Sequence, residues 1–118
     1  MILLFVEDIL FISKIRTQAQ AVGVSTFVVP PNVEDITSLF LSQSYQKIFI
    51  DLNIQKRDPF AVIRLLKGET ISKTIPVVAF FSHVQTELAQ KATEAGCDMV
   101  MPRSQFTMRL PDLLTGVF

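Results

Sequence analysis

Hydrophobic positions along the chain fall into short runs that alternate with stretches of helical spacing. Ile2 to Val6 is a continuous apolar run that stops at Glu7-Asp8, and Ile48-Phe49-Ile50 stops in the same way at Asp51. Runs of this length bounded by polar residues predict buried parallel strands. Ile12, Ile15, Ala19 and Val22 recur at three- and four-residue intervals and predict an amphipathic helix that Gly23 ends. Ser25 to Val29 predicts a second strand, halted by Pro30-Pro31. Asn32 is placed to cap a second helix with Val33, Ile36, Leu39 and Phe40 on its inner face.

Lys47 to Asp51 predicts the third strand. Asp58-Pro59 then supplies a capping carboxylate followed by proline at the first helical position, with Ile63 and Leu66 facing inward. Ile75 to Phe81 predicts a fourth strand, where Pro76 is tolerated at the start. Ser82 and Gln85 have capping-box spacing ahead of a helix carrying Val84, Leu88, Ala92 and Ala95, which Gly96 stops. Met99 to Met101 is a short fifth strand, and Phe106, Leu110 and Leu113 mark a last helix. Five strand–helix alternations predict an α/β fold with right-handed crossovers and helices on both sheet faces, as one domain over 1–118.

Composition narrows the partners. Eleven basic residues balance eleven acidic ones, and the basic residues are scattered, so no surface for nucleic acid or an anionic membrane is expected. The apolar N-terminus lacks a basic leader and meets acid within one strand, which argues against a signal peptide or a membrane span. The single cysteine, Cys97, excludes an internal disulfide and reads as a buried structural thiol, and a cytoplasmic location is expected.

Ligands in open α/β sheets bind at the carboxyl ends of the strands. Glu7, Asp8 and Asp51 would all gather there, and three carboxylates at one edge need a cation or a proton to relieve their repulsion. For Glu7 and Asp8 the competing role is simple stabilisation of the first helix N-terminus. His83 beside Ser82 is near the inferred site mouth, although a lone histidine is more often structural. No glycine-rich phosphate loop is present.

With these features in place, the chain resembles the receiver domains of bacterial response regulators, of the CheY type, over essentially its whole length. The acidic pair Glu7-Asp8, the strand-terminal Asp51 and the segment AGCDMVMPRSQF carry the resemblance. It implies a flavodoxin-like, doubly wound (βα)₅ fold with a five-stranded parallel sheet in the order 2-1-3-4-5. It also implies that Asp51 is the phospho-acceptor position. Asp8 would be a direct Mg²⁺ ligand, Glu7 an outer one, and Asn53 a ligand through its backbone carbonyl, with Asp51 both nucleophile and ligand.

The pattern departs from the family in four places, one of them the loop Leu52 to Pro59, which lacks the usual Met-Pro pair and glycine. Arg103 stands at the lysine position. Phe81 stands at the hydroxyl position, with Ser82 one residue later as a substitute, though a helix cap already accounts for Ser82. Val100 replaces a frequent switching aromatic. Arg103 could clamp a phosphate or pair permanently with Asp51 or Asp8. The resemblance thus implies a stand-alone receiver-like signalling module without enzymatic activity and with a degenerate phosphorylation site. Its output would pass through protein contacts on the face of the fourth helix, fifth strand and fifth helix. The alternatives are a working receiver phosphorylated on Asp51 by a histidine kinase in a two-component phosphorelay, with Mg²⁺ as cofactor, and a small flavodoxin-like ligand binder. The sequence leaves a homodimer open. Asp98 reads as a turn residue.

Overall fold

The computed structural model describes residues 1–82 and 86–116. Strand β1 (Ile2–Phe5) leads into helix α1 (Ile9–Ala21), and β2 (Thr26–Val28) into a 3₁₀ helix at Ile36–Phe40. Strand β3 (Lys47–Asp51) and helix α2 (Pro59–Gly68) follow, then β4 (Val77–Phe81), α3 (Thr86–Glu94), β5 (Met99–Pro102) and α4 (Arg103–Thr115). The five strands form one parallel sheet in the order β2-β1-β3-β4-β5, the doubly wound flavodoxin-like arrangement.

Alternation along each central strand supplies both faces of the sheet. Leu3, Phe5, Ile48, Ile50, Val77 and Ala79 join Ile63 and Leu66 of α2 and Ala92 of α3 in one core. Ile2, Leu4, Phe49, Val78 and Phe80 join Phe11 and Ile15 of α1 and Phe106 and Leu110 of α4 in the other. Phe106 stands at the centre of the second core, stacked on Phe80 at 4.4 Å between ring centroids and edge-on to Phe49 at 5.1 Å. The end of β3 carrying Asp51, and the end of β5 from which Arg103 follows, are therefore held by apolar packing on both sides.

Local signals set the helix ends. Asp58 Oδ1 accepts hydrogen bonds from the Phe60 and Ala61 amides at 2.9 and 3.3 Å, with Pro59 opening α2 as its fixed φ favours. Gly23 and Gly96 follow α1 and α3 in the left-handed region, at φ of 73° and 104°. Val22, expected on the inner face of α1, instead caps its C-terminus and is exposed.

The second helix differs from the sequence expectation. Its cap is Asp35 rather than Asn32, and it forms only a 3₁₀ helix. Ser38 donates its hydroxyl to the Asp35 carbonyl at 2.6 Å and its amide to the Asp35 carboxylate. Such local bonds compete with α-helical ones, and a segment this short has little propagation to offset nucleation. Ile36 and Phe40 are nevertheless buried, as the periodicity requires. Strand β4 begins at Val77 rather than Ile75 because the Ile75 amide turns back to Ser72 O and Pro76 has no donor. The inferred partner of Ser82, Gln85, lies outside the described residues, as do Val84 and His83.

Lys47 is buried at the start of β3, and its ammonium donates to the Leu113 and Gly116 carbonyls at 2.5 and 2.6 Å. These are carbonyls that a helix leaves unsatisfied at its C-terminus. Burial lowers the Lys47 pKa from the ordinary lysine value. Lys47→Met keeps the apolar stem and removes both donors. It is expected to lower the unfolding free energy by about 1–3 kcal/mol, the cost of leaving buried carbonyls unpaired. An unchanged urea midpoint would show that these bonds do not hold α4 in place.

Candidate functional site

Asp51 closes β3 with its side chain only 5% exposed. One carboxylate oxygen, Oδ1, accepts the Asn53 amide at 2.8 Å, and the other, Oδ2, accepts Arg103 Nη2 at 3.0 Å. Arg103 begins α4 directly after β5, which delivers its side chain to the same edge. Its second terminal nitrogen, Nη1, donates to Asp8 Oδ2 at 3.1 Å. The planar guanidinium thus bridges two carboxylates that come from different strand ends, a geometry for which a fork of donors is suited.

Asp8 has two tasks. Its Oδ1 caps α1 by accepting the Leu10 and Phe11 amides at 3.0 and 3.2 Å, while Oδ2 holds Arg103. The Phe11 N–H, followed by Arg103, lowers its pKa from the ordinary carboxylate value. Burial has the opposite effect on Asp51, raising its pKa despite the Asn53 N–H and the Arg103 charge. The Arg103 guanidinium also lies 4.3 Å from the Phe11 ring centroid and 5.7 Å from that of Phe80, within cation–π range. Its Nε is buried and, among the described residues, has no hydrogen-bond partner.

The expected convergence of three carboxylates does not occur. Glu7 turns to the loop after β3, where its two carboxylate oxygens accept the Gln55 and Lys56 amides at 2.8 and 3.0 Å. Among the described residues, no group of three or more His, Cys, Asp or Glu side chains is placed to hold a metal. A positive charge already stands between Asp8 and Asp51. In this arrangement the residues do not fit Mg²⁺, which needs open oxygen ligands in a near-octahedral set.

Asn53 acts as a strut as well. Its side-chain oxygen accepts the Ser82 amide at 2.8 Å, joining the ends of β3 and β4. Phe81, at the strand end where the family resemblance implies a hydroxyl, is buried in the core, while Ser82 is exposed. Val100 is half-buried and packs on the same core as Phe81.

The remaining candidates are structural. Cys97 is half-buried and donates its thiol to the Val77 and Met99 carbonyls, with burial pushing its pKa up to about 11. Asp98 does more than turn the chain: its carboxylate accepts both Lys67 Nζ and the Val77 amide at 2.8 Å. Sequence reasoning missed Phe11 as the platform for Arg103. The signal available was position, since Phe11 lies three residues beyond Asp8 on the inner face of α1.

No protein-family model matches the sequence, and no curated protein matches it. Solved structures do match in fold, and they are receiver domains. The receiver domain of a Pseudomonas aeruginosa sensor histidine kinase, solved with a magnesium ion in its active-site cleft, superposes with a TM-score of 0.79 at 17% identity. That similarity covers 96% of this chain and 92% of the other. The phosphorylated cyanobacterial phytochrome response regulator RcpA gives 0.77 at 18% identity, over 98% of this chain and 88% of its own. The Mn²⁺-bound response regulator Rcp1 gives 0.77 at 16% identity, over 99% and 96%. The chain therefore has the fold of response-regulator receiver domains. No helix among the described residues is long and apolar enough to cross a membrane.

Proposed function

We propose that the chain is a receiver-like signalling module with a degenerate phosphorylation site, acting through contacts with other proteins rather than as an enzyme. The observation that supports this most directly is the Arg103 guanidinium bridging Asp8 and Asp51. In the Pseudomonas aeruginosa neighbour a magnesium ion occupies the active-site cleft; here a tethered side chain supplies the positive charge. Asp51 is thereby held by a donor on each oxygen, which lowers its readiness to attack phosphorus. Phe81 offers no hydroxyl to engage a transferred phosphoryl group, and Arg103 cannot leave the bridge without exposing two carboxylates to each other. On this reading the contact surface is the face of α3, β5 and α4, and the partner is a protein of a signalling pathway.

The working alternative, phosphoryl transfer from a histidine kinase to Asp51 with Mg²⁺, is separated by intact-mass measurement after incubation with acetyl phosphate and Mg²⁺. An unchanged mass is expected. Gain of one phosphoryl group, absent from the Asp51→Asn variant, would overturn the degenerate reading.

A further inference from the structure

A cleft opens at the carboxyl ends of β1 and β2, beside Glu7, and none of Asp8, Asp51 and Arg103 lines it. It has a volume of about 170 Å³, and Phe5, Ile12, Val28 and Ile54 give it an apolar lining. Three ties hold its shape. Arg57 donates to the Pro30 carbonyl at 2.8 Å and lies 5.8 Å from the Phe5 ring centroid, while Glu7 fixes the loop through Gln55 and Lys56. Pro30 and Pro31 stiffen the opposite wall, since proline restricts the backbone and offers no amide to bond across the gap.

The charges around this cleft favour an anion. Lys56 and Arg57 contribute two positive charges against the single negative charge of Glu7, whose oxygens each already accept a backbone N–H. A guanidinium has five N–H donors, so the bond to Pro30 leaves others for a ligand. Volume limits the ligand body: a dry apolar cavity of roughly 150 Å³ accommodates benzene. We propose that this cleft binds a small carboxylate carrying one aromatic ring, with the ring against Phe5, Ile12 and Val28 and the carboxylate on Arg57 and Lys56. The site does not depend on the reading of Asp51.

The test is a ¹H–¹⁵N titration of the full chain with phenylacetate, with the isosteric neutral phenylacetamide as control. Saturable shifts are expected at Ile12, Val28, Ile54 and Lys56, with a dissociation constant on the order of 1 mM for a ligand of this size. Phenylacetamide and the Arg57→Gln protein should each show binding weaker by about tenfold, as loss of a charge-assisted bond implies. If Arg57→Gln does not fold, Lys56→Gln, a change at an exposed side chain, decides the same point by weaker binding. Non-saturable shifts, shifts confined to residues near Arg103, or equal binding of acid and amide would overturn the proposal.

Discussion

An Arg103→Ala protein is expected to unfold at a lower temperature than the wild type and to acquire a stabilising response to divalent cations. Removing one partner of a buried ion pair commonly costs about 3–5 kcal/mol, because the other charge is left uncompensated. Here the loss should be smaller, about 1–3 kcal/mol, since the Arg103 side chain is 26% exposed and Asp51 keeps the Asn53 N–H. The cation–π contact with Phe11 is lost as well. Asp8 and Asp51 then face each other without a cation between them, which favours uptake of a hard divalent ion. Millimolar Mg²⁺ should therefore raise the melting temperature of the variant and leave the wild type unmoved, because only a species that binds the native state shifts unfolding. Equal responses of the two proteins would mean that Arg103 does not occupy the cation position. Full wild-type stability in the variant would show that the bridge contributes nothing to the fold.

The larger effect is expected at Phe106→Ala. Phe106 is fully buried and its ring meets Phe11, Phe49 and Phe80. Truncating such a residue removes its transfer free energy and leaves a cavity, about 3–5 kcal/mol together. Domains of this size have total stabilities of about 5–15 kcal/mol, so a large fraction of the native margin disappears. Urea unfolding should show a much lower midpoint with a similar slope, and Phe106→Leu should recover part of the loss. A change below about 1 kcal/mol would mean that the surrounding rings collapse into the space, contrary to the close packing seen.

Most of the fold was legible because its signals are local. Asp58-Pro59 declares a helix start by itself, and the run from Lys47 to Asp51 declares a strand. The segment after Pro31 departs from the expected α-helix because apolar spacing reports which residues are buried, not how tightly the backbone winds. Asp35 and Ser38 decided the winding with their own polar atoms. At the site, Asp8 and Asp51 could be placed together because each follows or closes a strand in a parallel sheet, and Arg103 joined them through the resemblance to receiver domains, whose lysine position it holds. The destination of Glu7 could not: it binds backbone amides 48 and 49 positions away, and an amide carries no residue-specific sign in the sequence. The Lys47 anchor was hidden for the same reason, since the Leu113 and Gly116 acceptors are main-chain carbonyls.

That anchor also bears on how the protein reaches its native state. Lys47 is separated from the Leu113 and Gly116 carbonyls by 66 and 69 positions. Every strand pairing in the sheet is parallel and so also requires an intervening crossover. Closing such long loops loses entropy before any contact compensates for it, which slows folding. During synthesis β3 is made long before the last turn of α4, and the Lys47 ammonium stays in water until then. Burial of that charge therefore requires α4, and couples docking of that helix to locking of the sheet's central strand.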